Sequence, residues 1–303
     1  MSTSRLFALA LAAAALPAQE SARFSGPTSG FLFDAPSRAI RVVMGTPGAA
    51  YLGQAVVGDL DNGSVSPDGR FAVAIADGAA SLIRVAGSSV ASLGSGCDGA
   101  VAAWSADSSA VAVGCPDGLR LFRASGGRAA LAGFNGAKAL AVDAAGGAVF
   151  AANAEGIFRI DADSARLLAP AADVISLALS GATLYAVDRA GKQVVALDNL
   201  SGSAALRIAA SSANPVAVGV SPDGTRLYVA EGESKTLAVF NPATGELISR
   251  LELDFAPTRV DTLGTGLFLL SPRQEAGDTL RVLDARQLAV YFIPAPELTA
   301  AVQ

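Results

Sequence analysis

The chain contains no histidine among its 303 residues. That removes the Ser-His-Asp arrangement and the commonest general base. Only two cysteines are present, Cys97 and Cys115. Two sulfurs without imidazole cannot supply the four N/S ligands of a structural zinc site. Haem held by a proximal His is excluded, as is a Cys-x-x-Cys-His attachment. No Gly-Lys-Ser/Thr phosphate loop occurs. Positive charge is also short: 22 Lys and Arg face 27 Asp and Glu, for a net charge of −5 and a pI near 4.8. The basic footprint that binds phosphate backbones is missing, which sets nucleic acid aside. Aromatics make up 6% of the chain, with a single Trp at position 104. These gaps leave no catalytic residue, metal ligand set or cofactor to name.

Apolar residues are plentiful, at 51% with a lean towards Ala and Val. The first of them look like an address. Arg5 precedes an apolar run over residues 6–16, followed by small residues around Ala15 and Ala18. This layout predicts a secretory signal peptide over residues 1–20, with the cut after Ala18 disfavoured by Leu16 at −3. The run is about half the roughly 20 residues that span a bilayer. No later segment is long and apolar enough to do so, so no membrane span is expected once the signal is removed. The chain is therefore expected in the periplasm or outside the cell, where disulfides persist. Cys97 precedes one predicted strand and Cys115 ends the next. In an antiparallel hairpin those ends lie side by side, so a Cys97–Cys115 bridge is geometrically allowed, the alternative being two buried thiols.

The remainder, residues 21–303, reads as one domain built from a repeat. A short apolar pattern recurs at 40–43, 82–85, 119–122, 157–160, 194–197, 237–240 and 280–283. From Val43 to Leu283 is 240 residues over six intervals, a mean period of 40. Periods of about 40 to 50 belong to four-stranded propeller blades. Upstream of each copy lies a turn, clearest as Ser66-Pro67-Asp68-Gly69 and Ser221-Pro222-Asp223-Gly224, then a second apolar strand. Pro presets φ, Asp bonds the backbone and Gly accepts positive φ. Downstream comes a more variable strand, as at 246–251 or 288–293. Residues 71–76, Phe-Ala-Val-Ala-Ile-Ala, alternate large with small apolar side chains rather than apolar with polar, so both sheet faces are dry. With 32 Gly and 14 Pro, the runs are too short and interrupted for helices. A β-solenoid is the rival, but its coils are usually shorter. The expectation is an all-β, seven-bladed β-propeller of four-stranded antiparallel blades. Residues 22–25 or the tail at 298–303 remain alternatives for completing the first blade.

Residues 221–249, SPDGTRLYVAEGESKTLAVFNPATGELIS, resemble the repeat of YVTN-type β-propellers, relatives of WD40-like blades. Tyr228-Val229-Ala230 stands at that family's Tyr-Val position, and Asn241-Pro242-Ala243-Thr244-Gly245 resembles its strand-joining turn. Residues 66–85 are a fair second match, and the other blades follow only the pattern. The resemblance implies the fold. Some seven-bladed relatives are lactonase-like hydrolases, so it also admits an enzyme using carboxylates at a channel mouth.

Propeller ligands usually meet one mouth of the central channel. Its loops enter the innermost strands or join second to third strands. The entering loops offer Asp59, Asp61, Asp98, Asn135, Asp173, Asn214 and Arg259. The second-to-third loops offer Arg38, Asp117, Glu155, Arg189, Glu231 and Arg273, with Asp77, Lys192, Lys235 and Glu275 beside them. Loops on a rigid scaffold carry function, and the mixed signs argue against a focused field for one ion. Asp59-Leu60-Asp61-Asn62-Gly63 opens like a calcium loop but lacks the distal Glu, which favours a turn with Asx side chains on the backbone. Trp104 is expected in the core. Arg41, Arg84, Arg120, Arg159 and Arg281 are expected to lay apolar stems on the sheet with wet heads. The expected function is a binding scaffold for a protein or glycan partner; the alternative is the propeller hydrolase.

Overall fold

The computed structural model describes residues 26–85 and 88–295. The expected signal peptide, residues 22–25 and the tail at 298–303 lie outside the described residues. Among the described residues twenty-seven strands, β1 to β27, form seven antiparallel sheets, and the one helical element is a three-residue 3-10 turn at Ala35–Ser37. Blade 1 holds β1 (Thr28–Asp34), β2 (Ala39–Met44) and β3 (Tyr51–Val57). Blade 2 holds β4 (Asn62–Val65), β5 (Phe71–Ala76), β6 (Ala79–Arg84) and β7 (Ser88–Gly94). Blade 3 holds β8 (Val101–Trp104), β9 (Ala110–Cys115), β10 (Gly118–Arg123) and β11 (Arg128–Ala129). Blade 4 holds β12 (Ala139–Val142), β13 (Val149–Ala152), β14 (Gly156–Ile160) and β15 (Ala165–Pro170). Blade 5 holds β16 (Val174–Ser180), β17 (Thr183–Asp188), β18 (Gln193–Asp198) and β19 (Ala205–Ser211). Blade 6 holds β20 (Pro215–Val220), β21 (Leu227–Glu231), β22 (Thr236–Phe240) and β23 (Leu247–Glu252). Blade 7 holds β24 (Asp261–Gly264), β25 (Leu267–Ser271), β26 (Leu280–Asp284) and β27 (Ala289–Ile293). No helix among the described residues is long and apolar enough to cross a membrane.

The dry-faced strands lie mid-blade. Every residue of β13, β21, β22 and β25 is buried. The buried apolar side chains fall into seven clusters, and each spans one pair of neighbouring blades. Alternation along a strand sends successive side chains to opposite faces, so Val195 and Leu197 pack towards blade 4 while Val194 and Ala196 pack towards blade 6. The core is therefore a ring of seven interfaces.

The first and last described blades meet at the seam between blades 7 and 1. Blade 1 shows three strands among the described residues, and its β1 touches both β4 and β24. By the repeat, β2 carries the pattern at 40–43 and β1 holds the second-strand position, and among the described residues β1 is the strand of this blade that reaches those innermost strands. Ser29 and Gly30 run so close to Leu263 and Gly264 that a Cβ on either glycine would strike main-chain atoms of the other strand. Farther out, Leu52 N–H donates to Pro294 O at 2.9 Å. Leu32, Val43 and Leu52 pack on Leu269, Val282 and Ile293.

A buried ion cluster clasps the same seam. Arg273 Nη1 of blade 7 donates to both oxygens of Asp34 of blade 1, at 3.2 and 3.1 Å. Arg41 Nη1 lies 3.6 Å from Asp34 Oδ2. The three side chains are 0–4% exposed. Arg41 thus departs from the wet-headed expectation: its Nε and Nη2 donate to Gly53 O and Leu52 O, because Asp34 supplies a counter-charge that sequence spacing does not show. Arg84 stays exposed and lies over the Phe71 ring.

The opposite ends of the strands are fastened by a repeated turn. In blades 2, 3 and 6 a Ser hydroxyl donates to an Asp two residues on, at 2.7, 2.6 and 2.5 Å for Ser66–Asp68, Ser105–Asp107 and Ser221–Asp223. The same Ser oxygen accepts the N–H five residues on, from Phe71, Ala110 and Arg226. Ser105-Ala106-Asp107-Ser108, one residue earlier than the turn expected at 106–109, therefore makes the same turn as Ser-Pro-Asp-Gly without its Pro or Gly, with Ser108 at φ 62° where the others have Gly.

Candidate functional site

In a four-stranded meander, the loop entering the first strand and the loop joining the second to the third lie at the same end. Those loops are laced together here. Leu60 N–H donates to Arg38 O, Cys97 N–H to Gly78 O, Ser212 N–H to Lys192 O and Leu253 N–H to Lys235 O, all at 2.8–3.1 Å. Each bond joins an entering loop to the previous blade's second-to-third loop. Several corners need the left-handed conformation at a side-chain-bearing residue, with φ of 49° at Arg38, 48° at Asp77 and 53° at Lys192 and Lys235. Such values are uncommon outside glycine, so the lacing holds these corners in one shape.

The side chains follow suit. Asp59, Asp61, Asp98, Asn135 and Arg259 are exposed in entering loops, and Asp173 and Asn214 are half-buried. Arg38, Asp117, Glu155 and Arg189 are exposed in second-to-third loops. Several are occupied with one another. Arg38 Nη2 donates to Asp61 Oδ1 at 2.7 Å, and Asp61 Oδ2 accepts Asp77 N–H at 2.7 Å. Arg189 donates twice to Asp173, at 2.8 and 3.0 Å. Those hydrogen bonds, with the attraction of Arg189, hold the Asp173 carboxyl below its usual range. Asp117 pairs with Arg120 at 2.6 Å beside a cavity of about 410 Å³ lined also by Leu93, Ser95 and Arg128. Arg120 Nη1 is 3.3 Å from Cys97 Sγ, in the disulfide that Cys97 forms with Cys115. Asn62 turns its amide to the backbone of Ala100 and Gly63.

Two candidates stand elsewhere than expected. Arg273 is buried in the seam clasp. Glu231 is buried and accepts from Ser212, Thr236, Ser234 and Arg250 at 2.5–3.1 Å. Burial pushes the Glu231 carboxyl up, but these donors outweigh it and hold the group below its usual range. Arg273 is taken up by Asp34 of blade 1, and Glu231 by donors of its own blade and of the loop entering it. Trp104 ends β8 partly buried against the blade 2–3 cluster. Among the described residues no three Cys, Asp or Glu are placed to hold a metal ion.

Asp261, at the start of the innermost strand β24, escaped the sequence reading. Its side chain keeps 58% exposure beside Arg259 at 3.4 Å. Crowding by neighbouring atoms nevertheless holds its carboxyl above the usual range, against the pull of Arg259. No sequence signal separates this Asp from a loop-tip Asp.

No protein-family model matches the sequence, and no curated protein matches it significantly. Solved structures do resemble it. The β-propeller domain of Cps50 (Swd1) from Myceliophteria thermophila aligns with a TM-score of 0.58 at 14% identity, covering 89% of this chain and 96% of that one. A chain of the nidogen/laminin complex aligns with a TM-score of 0.50 at 12% identity, covering 74% and 93%. Hydrazine synthase from Kuenenia stuttgartiensis aligns at 0.42 and 16% identity, and this chain spans 49% of it. The first two are propellers like this chain in fold. With 1170 solved chains similar to it, the fold does not choose among functions.

Proposed function

We propose that this chain is an exported β-propeller of YVTN-like repeats that acts as a binding scaffold in the periplasm or outside the cell, with a protein or glycan partner seated on the laced loop mouth. The observation that supports the reading is the mouth itself. Its loops are fixed by inter-blade backbone bonds, and its Arg38–Asp61 and Arg189–Asp173 pairs present charges of both signs on a preformed surface. Preformed surfaces bind with little ordering cost, and paired exposed charges select partners more than they add affinity.

The test is affinity capture from the native envelope with wild-type bait and an Arg38→Glu, Arg189→Glu double variant. A partner retained by the first and lost by the second supports the reading. Identical capture by both overturns the mouth as the site. Recovery of the chain in the cytoplasm with its first 20 residues intact overturns export. Melting with calcium, magnesium or EDTA addresses the hydrolase alternative, since an ion bound only by the folded state raises the midpoint by mass action. The scaffold reading expects no shift.

A further inference from the structure

The outer circumference carries chemistry of its own. Every large apolar side chain left exposed among the described residues lies on an outermost strand, from Leu167 on β15 through Leu206 on β19 to Phe292 on β27. Isolated exposed apolar residues need no explanation, but a confined set does. Neighbouring sheets of a ring diverge outwards, which opens wedges between the last strands.

The wedge between blades 6 and 7 encloses about 430 Å³, within the usual range of ligand sites. Blade 6 contributes Leu251 and Leu253, and blade 7 contributes Val290 and Phe292. In register, Val290 lies opposite Leu283 and Phe292 opposite Arg281. Leu283 belongs to the blade 6–7 core, so Val290 and Phe292 face blade 6. Phe255 meets Phe292 edge-on, with centroids 6.2 Å apart at 84°. Arg281 covers the Phe255 ring at 5.1 Å. Phe292 keeps 48% of its surface exposed. Glu252 and Asp254 alternate with Leu251 and Leu253 along this rim; both are exposed, and neither carboxylate has a hydrogen bond or ion pair among the described residues. Strand β23 is the last of its sheet, so its outer main-chain groups are open to another strand.

We infer that this wedge is a second docking surface, taking an extended protein segment whose aromatic or aliphatic anchor packs on Phe292 while flanking Lys or Arg side chains pair with Glu252 and Asp254. The charge argument fixes the chemistry of the occupant: two unpaired carboxylates beside an apolar floor repel an acidic segment. A strand laid on β23 gains main-chain bonds from the edge and specificity from alternate side chains. The wedge adjoins the mouth where Leu253 is laced to Lys235, but its apolar floor and open edge lie on the outermost strands, and the inference stands without the mouth reading.

The probe is a labelled seven-residue peptide alternating lysine with leucine or phenylalanine, read by fluorescence anisotropy at physiological salt. Controls replace lysine by glutamate, or the apolar residues by serine. Saturable binding is expected for the basic apolar peptide alone. It should weaken about tenfold or more in Phe292→Ser and in a Glu252→Lys, Asp254→Lys variant, while Leu206→Ser on blade 5 leaves it unchanged. Hydrogen exchange on the wild-type chain gives a second readout that needs no substitution, with added protection expected at 247–255 and 289–293. Equal binding of the serine peptide, equal binding by all variants, absent binding, or protection at the mouth loops instead would each overturn the inference. So would Phe292 dependence seen only with anionic lipid vesicles, which assigns the wedge to a membrane.

Discussion

Asp34 shows how much one carboxylate can hold. It is fully buried between Arg273 and Arg41 and also accepts the Ser37 hydroxyl at 2.6 Å. Breaking a buried pair from one side leaves uncompensated charge, which typically costs about 3–5 kcal/mol. Asp34→Asn should lower unfolding stability by about that amount, measured by urea denaturation. The repeated Ser–Asp turns behave differently, because their carboxylates are exposed although the Ser residues are buried. The Ser221 hydroxyl and the Thr225 N–H hold the Asp223 carboxyl at about 2. Asp68 and Asp107 are also lowered, their hydrogen bonds outweighing desolvation. A folded-state value below the unfolded one gives stability that is present above the ordinary carboxylate range and lost as pH falls through the folded value. The melting temperature should therefore drop as pH goes from about 4 to about 2, and Asp223→Asn should flatten that drop while lowering stability near neutrality. An unchanged pH profile in the variant would count against the role of this turn.

At the level of the element, much of the fold could be read in advance. The forty-residue spacing and the Ser-Pro-Asp-Gly turns mark blades 2 and 6, and large–small alternation marks strands dry on both faces. Blade 3 shows the limit, since its Ser-Ala-Asp-Ser turn at 105–108 shares the Ser–Asp geometry but not the Pro and Gly that advertise it. The mouth loops could be located, but not the state of their side chains. Arg38 and Asp61 are 23 residues apart, and whether they meet depends on how adjacent blades splay. Glu231 and Arg273 read like loop-tip charges in sequence, because Arg273 is buried by Asp34, 239 residues away, and Glu231 by donors 5 and 19 residues away that only the folded blade gathers. The Cys97–Cys115 bridge fastens the loop entering β8 to the end of β9, 18 residues on. Closing a loop of that size is worth about 3 kcal/mol in the chain-entropy view. A Cys97→Ser, Cys115→Ser double variant should lose about that much, and a reductant should bring the wild type to the same midpoint.

The whole molecule is a closed cycle in which each sheet is covered on both sides by its neighbours. An open stack loses one interface per missing repeat and keeps the rest. This ring loses two, and both flanks of the gap become apolar surface. Deleting residues 139–170, all of blade 4, should abolish the single cooperative transition and give aggregation on size exclusion rather than a smaller folded ring. A compact, cooperatively melting six-bladed product would show that closure is not needed. The outer wedges have the opposite character, since they lie beyond the interfaces and tolerate polar substitution at Phe292 or Leu206 with little change in melting.

The Asp34–Arg273 contact joins positions 239 residues apart. During synthesis, the first blade therefore leaves the ribosome long before its last neighbour exists. Its seam flank, with Leu32, Val43 and Leu52, stays naked until almost the entire polypeptide has been made. Such distant pairing slows folding and exposes sticky intermediates. That flank finds its native cover only when the seventh blade arrives.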